Sequence, residues 1–175
     1  MQSAPRFFTM PDPITITPVD YHNPQHADQL LQALEQYALD PMGGGSPLSE
    51  QVRQHLAPSL AALPHAFSLL LHVDGVLAGL ANCFEGFSTF ACQKLVNIHD
   101  FVILPDFRGR GLAHHLLAAI ESEAKRRQCC KLTLEVLEGN PVARHTYARF
   151  GFQPYALDPA AGHALFMAKA IETSD

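Results

Sequence analysis

Hydrophobic and polar positions along the chain predict a protein built largely from strands. Seven segments either alternate or form short apolar runs between turn residues: 13–19, 66–73, 76–84, 95–104, 131–137, 152–157 and 164–170. Asp74-Gly75 separates two of these runs and predicts a tight hairpin, because both residues tolerate the positive φ that such turns need. At least one antiparallel strand pair follows from this turn.

Helical spacing of apolar residues interrupts the strands at four places. The helices are expected over 25–39, from about residue 47, over 109–127 and over 140–150. Three consecutive glycines between the first two helices predict a flexible turn. The third helix is the clearest, since its apolar stripe repeats every four residues: Leu112, Leu116, Ile120 and Ala124.

The order of these elements predicts the fold class. The strands on either side of the third helix are expected to be parallel and joined by a right-handed crossover, whereas the hairpin makes its own part of the sheet antiparallel. The prediction is an α/β (α+β) fold with a mixed, largely antiparallel central sheet of about seven strands and helices on both faces.

Composition places the chain among folded globular proteins. Of its 175 residues, 47% are hydrophobic and 17% are charged, which excludes an intrinsically disordered chain. This length suits one domain, predicted for residues 13–175 after a flexible tail at 1–12. A net charge of −5 argues against nucleic-acid binding, and no apolar run approaches the length of a membrane span.

The N-terminal segment and the cysteines suggest a cytoplasmic protein. The first residues have no secretory signal pattern. The four cysteines lack ligand-like spacing and are interpreted as reduced core thiols. Ten histidines are present, but His114 and His115 are neighbours and point to different helix faces, and no metal site is predicted.

The segment from Leu104 to Ala113 has the chemistry of a diphosphate-binding loop. Gly109 and Gly111 carry no Cβ that would keep a ligand from the backbone amides, and the first turn of the following helix favours negative charge. The P-loop needs a Lys-Ser or Lys-Thr after its glycines, and the dinucleotide fingerprint fails at His114. The alternative is an ordinary strand-to-helix turn.

A second motif, N-x-x-A-x-x-x-Y-x-x-x-G-F, runs from Asn140 to Phe152. Asn140 is a good N-cap. Pro141 at the next position has no backbone N–H, which costs nothing there because the first turn of a helix leaves its N–H groups unpaired. Asn140, Ala143 and Tyr147 share one helix face. Periodicity alone favours a half-buried core position for Tyr147.

The loop contains the motif R-x-x-G-x-A, from Arg108 to Ala113, and the Asn140 motif follows it after a helix and one strand. In this order the two motifs resemble those of the GNAT (Gcn5-related) N-acetyltransferases, and the resemblance covers about residues 94–153. The resemblance implies the acyl-CoA N-acyltransferase fold and acetyl-CoA as co-substrate. It also implies a pyrophosphate cradle made by Arg108, Gly109, Arg110, Gly111, Leu112 and Ala113. The rest of the cofactor arm is expected to bind Asn140 and the backbone of Phe101, Val102, Ile103 and Leu104.

The same resemblance implies the catalytic groups. Tyr147 matches the position that commonly protonates the departing thiolate. His99 and Asp100 stand where polyamine-acetylating members have Glu-Asp, and His99 is the predicted base because an imidazole titrates near neutral pH. Asp100 is expected to orient His99 or to bind substrate, unless it only ties down a backbone turn. Neighbouring residues face one site only if the strand is bulged there, as in the family.

The acceptor is expected to lie between the first two helices and the later strand loops, as is usual in this fold. Asp40, Glu85 and Phe87 are the predicted substrate contacts, and Glu85 carries a charge that attracts an amine. The predicted activity is acetyl transfer to the primary amine of a small molecule: an amine, polyamine, amino acid or drug-like compound.

Two alternatives remain open. One is a protein or peptide N-acetyltransferase, for which a broad acidic groove is expected. The other is a non-catalytic CoA-binding sensor, which Tyr147 and the polar pair His99-Asp100 disfavour because a pure binding module needs neither. A homodimer is the candidate assembly, with no nucleic-acid or membrane partner.

Overall fold

The computed structural model describes residues 13–155 and 165–171, so the predicted tail at 1–12 lies outside the described residues. The elements in chain order are β1 Ile14–Pro18, α1 Pro24–Leu39, α2 Glu50–Ala61, β2 Ala66–Val73, β3 Val76–Ser88, β4 Gln93–Ile103, a 3-10 turn Pro105–Phe107, α3 Leu112–Arg126, β5 Leu132–Leu134 and α4 Pro141–Phe150. The chain divides into two compact units, Met1–Leu134 and Glu135–Asp175. Each unit is described by itself below, and the single domain expected for 13–175 stays a prediction.

The first unit contains a mixed sheet with strand order β1-β2-β3-β4-β5. The first four strands are antiparallel to their neighbours, and β5 is parallel to β4, to which α3 connects it. At the β2–β3 turn, Asp74 and Gly75 have φ of 50° and 75°, the pair of positive values that a two-residue hairpin needs. The predicted mixed, largely antiparallel sheet is confirmed.

Helices cover both faces of this sheet, as predicted. On one face, which we call the α1/α2 face, Leu70, Leu80 and Val102 form a core cluster with α1 and α2. On the other face, the guanidinium of Arg127 at the end of α3 lies 4.4 Å from the ring centroid of Phe67. The buried stripe of α3 consists of Leu112, Leu116, Leu117, Ile120 and Ala124.

Two strand predictions need correction. β5 has three residues instead of the seven expected over 131–137, because its partner β4 is bulged directly after Ile98, the last residue that pairs with β5. The final strand pair is absent from the described residues 152–155 and 165–171, where side chains such as Phe166 are 82% exposed and have no neighbouring ladder. Residues 156–164 lie outside the described residues, and the described part of the chain has five strands instead of about seven.

The cysteines and the start of α3 also differ from expectation. Cys83 is a core thiol, but Cys92 and Cys130 are exposed, because they lie in the β3–β4 turn and in the connection before β5. α3 begins at Leu112, later than the predicted residue 109, because the glycines before it adopt left-handed backbone angles. Within the described ranges, no helix combines the length and apolar character needed to cross a membrane, and no cluster of three or more metal-ligating side chains is present.

Candidate active site

The loop between β4 and α3 has the geometry of an anion cradle. Gly109 and Gly111 have φ of 75° and 77°, a region that residues with a Cβ rarely adopt. A Cβ built at either glycine would find no heavy atom of the described chain within 4 Å, so the space before the backbone is open. Gly111 is the N-cap of α3 and offers no side chain to its first-turn N–H groups. These amides suit a bound phosphate.

Arg108 braces this loop against the end of α1. Its Nε donates to the carbonyl oxygen of Ile103 at 3.0 Å, and a terminal nitrogen donates to Oδ2 of Asp40 at 2.8 Å. A guanidinium has five N–H donors, so these two bonds leave donors that can reach a phosphate. The second cation, Arg110, is exposed and lies 5.5 Å from the ring centroid of Phe107. The residues present fit a diphosphate, as coenzyme A would require.

The turn that follows α1 is tied down by hydrogen bonds, although its glycines predict flexibility. The N–H groups of Gly43 and Gly45 donate to the carbonyl oxygen of Asp40 at 2.8 and 3.2 Å. A Cβ at Gly43 would overlap the carbonyl oxygen of Tyr37, so the close approach requires glycine. This turn fixes the position of Asp40 beside Arg108.

Asp40→Asn is expected to destabilise the protein slightly at neutral pH and not at all in strong acid. The Met42 N–H, followed by Arg108, holds the pKa of Asp40 below its usual value. A lowered folded-state pKa gives stability that is present above the unfolded value of about 4 and lost as pH falls through the folded value. Because the Arg108 side chain is 49% exposed, we expect less than about 1 kcal/mol.

Thermal unfolding of wild type and Asp40→Asn near pH 7 and at about pH 2 measures this effect. The difference between the two proteins should shrink in acid. A difference of equal size at both pH values would contradict the role given to the ionised carboxylate.

The strand β4 is bulged at the predicted catalytic pair. Asn82 of β3 pairs with Asp100, whereas the next residue, Cys83, pairs with Ile98. His99 is therefore the extra residue of a β-bulge, with no partner on β3. The predicted irregularity is present at the position where the hypothesis needs it.

The bulge brings His99 and Asp100 to the same side of the sheet. The His99 ring meets Phe84 edge-to-face with centroids 5.5 Å apart, and Phe84 packs against the core cluster of the α1/α2 face. Asp100 Oδ2 accepts a 3.0 Å hydrogen bond from Nδ2 of Asn82, which lies two residues from Phe84 on the same face of β3. Among the described side chains, the hydrogen-bond partner of Asp100 is Asn82 and not the His99 ring.

Beyond the bulge, β4 continues past the end of its pairing with β5. The parallel ladder joins Val96 to Ile98 with Leu132 to Leu134 and goes no further. On the other side, the N–H of Leu104 donates to the carbonyl oxygen of Ala78 on β3 at 2.9 Å. Phe101 to Leu104, the segment predicted to hold the cofactor arm, thus lies beyond the last residue pair between β4 and β5. An extended ligand can align with a strand edge of this kind.

Sequence reasoning missed three polar residues near Asp100. Ser68 and Asn82 are 1% and 3% exposed in the middle of apolar strands. Burial, followed by the charges of Asp100 and Asp40, raises the pKa of the Tyr37 hydroxyl, so this group is protonated at neutral pH. Ser68 and Asn82 each interrupt an apolar run, and this interruption was the available signal for the two strand residues.

Glu85, a predicted substrate contact, lies on the opposite face of the sheet. Its carboxylate oxygens are 2.9 Å from Lys94 Nζ and 3.9 Å from a terminal nitrogen of Arg127, which covers the α3 side. The structure does not bring Glu85 together with His99 and Asp100. Phe87 is 59% exposed towards the tip of the β3–β4 hairpin.

In the second unit, Asn140 and Tyr147 lie on α4. Oδ1 of Asn140 accepts from the Ala143 N–H at 3.1 Å as the predicted N-cap, and Gly151 ends the helix with φ of 112°. The half-buried Tyr147 ring meets Phe152 edge-to-face at 5.8 Å between centroids. The predicted local structure of this motif is confirmed, while the functional roles of its residues stay predictions.

The chain matches the model of the acetyltransferase (GNAT) family over residues 44–152. It is 34% identical over 102 residues to streptothricin acetyltransferase of Streptomyces lavendulae, covering 54% of this chain and 52% of that protein. It is 30% identical over 91 residues to a putative ribosomal protein bS18-alanine N-acetyltransferase of Bacillus subtilis (strain 168), covering 52% and 56%. The chain thus spans about half the length of these curated relatives.

The fold agrees with that of a solved acetyltransferase. The structure of an aminoglycoside N-acetyltransferase in complex with CoA superposes with a TM-score of 0.69 at 18% identity, covering 90% of this chain and 95% of that one. The family model covers both the glycine loop and the Asn140 motif. This chain belongs to the acetyltransferase (GNAT) family.

Proposed function

We propose that this protein transfers the acetyl group of acetyl-CoA to the primary amine of a small molecule. The observation that carries the proposal is the loop before α3, where Gly109 and Gly111 hold positive φ in front of open space at a helix N-terminus. Coenzyme A contains a diphosphate, which guanidinium groups and helix N-terminal amides bind well. The family membership supports the same ligand.

The residues on the bulge suit the acceptor side of this reaction. Acetyl-CoA supplies an activated thioester. The Asp100 carboxylate attracts the acceptor ammonium, and His99 accepts its proton directly or through water, so that a neutral amine can attack the carbonyl carbon. Tyr147 is proposed to donate a proton to the sulfur that leaves as the C–S bond breaks.

The substrate class is supported by one relative and by charge. Streptothricin acetyltransferase is named for a small-molecule acceptor, and the net charge of −5 suits a cationic amine. The peptide alternative is supported by the relative named for alanine acetylation of a ribosomal protein. The cytoplasmic location and the homodimer stay predictions.

An acceptor screen that measures free thiol released from acetyl-CoA tests the proposal. The panel contains polyamines, amino acids, aminoglycoside- and streptothricin-type amines and a peptide with an N-terminal alanine. Release with a small amine, above the amine-free rate, is the expected result. Release with the peptide alone would favour the protein-acetylating alternative, and calorimetric binding of acetyl-CoA without any release would favour the sensor.

Tyr147→Phe is expected to lower kcat by at least about tenfold, because it removes the proposed proton donor. Affinity for acetyl-CoA should change little, since the ring remains. Tyr155→Phe is the matched control, because Tyr155 is an exposed tyrosine of the same unit outside the motif. An unchanged kcat in Tyr147→Phe would exclude Tyr147 as the proton donor.

A further inference from the structure

A row of buried polar side chains crosses the sheet and ends at Asp100. Ser68, Asn82 and Asp100 occupy directly opposed positions on β2, β3 and β4. Tyr21, just after β1, extends the row, with its hydroxyl 2.8 Å from Ser68 Oγ. The row lies on the α1/α2 face, the face on which the bulge presents His99.

The hydrogen bonds of this row have one direction. Ser68 Oγ donates its single proton to Oδ1 of Asn82 at 2.6 Å, since an amide oxygen only accepts. The Tyr21 hydroxyl must therefore donate to Ser68. Burial raises the pKa of Tyr21, which keeps this donor protonated at neutral pH. At the other end, Nδ2 of Asn82 donates to Oδ2 of Asp100 at 3.0 Å.

The Asp100 carboxylate fixes which side of the Asn82 amide faces it, because a carboxylate only accepts hydrogen bonds. A reversed amide would set its oxygen against the Asp100 oxygen, and that contact is repulsive. With the donor side towards Asp100, the amide oxygen accepts from Ser68, and Ser68 in turn accepts from Tyr21. Every polar group of the row is therefore hydrogen-bonded, and the row holds Asn82 in place.

We propose that Asn82 is a positioning residue that orients the Asp100 carboxylate for the acceptor ammonium, with Ser68 and Tyr21 supporting the oxygen side of its amide. The inference rests on the proposed acetyl transfer and assigns the acceptor-binding carboxylate within it. One Asp100 oxygen is engaged by Asn82, and the carboxylate is half-buried on the face of the sheet on which the bulge presents His99. Acceptor binding, rather than acetyl-CoA binding, should depend on the row.

The test compares Asn82→Ala with wild type, using the acceptor found in the thiol-release screen. The acceptor KM should rise at least about tenfold, the loss expected when one hydrogen bond to a charged group is removed. The calorimetric Kd for acetyl-CoA should stay within about twofold, because the phosphate loop is untouched. Asn97→Ala is the matched control, since Asn97 is a half-buried asparagine of β4 that bonds Thr133 outside the row.

Ser68→Ala keeps the test decisive if Asn82→Ala does not fold. It removes the donor to the Asn82 amide oxygen and leaves the bond to Asp100, so Asn82 is held less firmly and a smaller rise in acceptor KM is expected, with acetyl-CoA affinity unchanged. A folded Ser68→Ala or Asn82→Ala protein with wild-type acceptor KM would overturn the inference, as would equal losses for both substrates. A wild-type protein that acetylates no acceptor would instead overturn the proposed function, and the inference with it.

Discussion

His99→Ala is expected to lower kcat/KM for the acceptor by roughly a hundredfold to ten-thousandfold, the range that general acid–base catalysis contributes. The structure gives His99 the features of a base that acts on the acceptor. It is the extra residue of the β4 bulge, it is exposed, and its ring is oriented by the edge-to-face contact with Phe84. The acidic limb of the pH profile of kcat/KM should disappear in this variant, because the group whose protonation causes the limb is removed.

His65→Ala is the matched control for this experiment. His65 is also an exposed histidine, and its ring flanks Phe84 with centroids 6.2 Å apart, but it precedes β2 and is not on the bulge. Its removal should change kcat/KM by no more than about twofold, as is usual for surface substitutions. A His99→Ala enzyme with the wild-type rate and the same acidic limb would exclude His99 as the base and leave Asp100 as the next candidate.

The parts of the fold that depend on neighbouring residues can be predicted from the sequence. The apolar stripe of α3 repeats at helical spacing, so its buried face follows from the pattern. Asp74-Gly75 determines a tight turn because both residues accept positive φ. In the same way, Asn140 and Gly151 mark the two ends of α4 by their capping chemistry.

The polar row could not be predicted, because it depends on a slip in strand register. The turn sets Val73 opposite Val76, and an unbroken ladder would then place Ser68 opposite Ala81. A bulge near the turn shifts the pairing by one residue and places Ser68 opposite Asn82 instead. Such a shift in register changes which residues lie opposite one another on a face of the sheet, and no local pattern in these apolar runs predicts it.

Ion pairs limit prediction of the site for a related reason. Asp40 and Glu85 are both acidic residues in segments where the acceptor was expected, and sequence alone does not distinguish them. In the structure, Asp40 forms an ion pair with Arg108, 68 positions away in the chain, and Glu85 forms one with Lys94 on the opposite face of the sheet. Which carboxylate remains for an amine is decided by long-range packing, and Asp100 is the one placed beside His99.

Gly111→Asp is expected to weaken acetyl-CoA binding by at least about a hundredfold in calorimetric Kd, because the new carboxylate competes with the diphosphate for the same amides. Gly111 is the N-cap of α3, and an aspartate at an N-cap accepts from first-turn N–H groups. It also adds a negative charge beside Arg110, one of the two exposed cations of the loop. The fold should survive, since aspartate tolerates positive φ better than most residues.

Two further variants separate charge from strain. Gly75→Asp introduces the same residue at φ of 75°, close to the 77° of Gly111, but in the β2–β3 turn. It therefore has a similar conformational free-energy cost and leaves the loop before α3 unchanged. Its stability should fall as in Gly111→Asp, while its affinity for acetyl-CoA stays at the wild-type value. Gly111→Asn has nearly the same shape without the charge and should lose less affinity. A folded Gly111→Asp protein that binds acetyl-CoA as wild type does would show that this loop is not the pyrophosphate cradle.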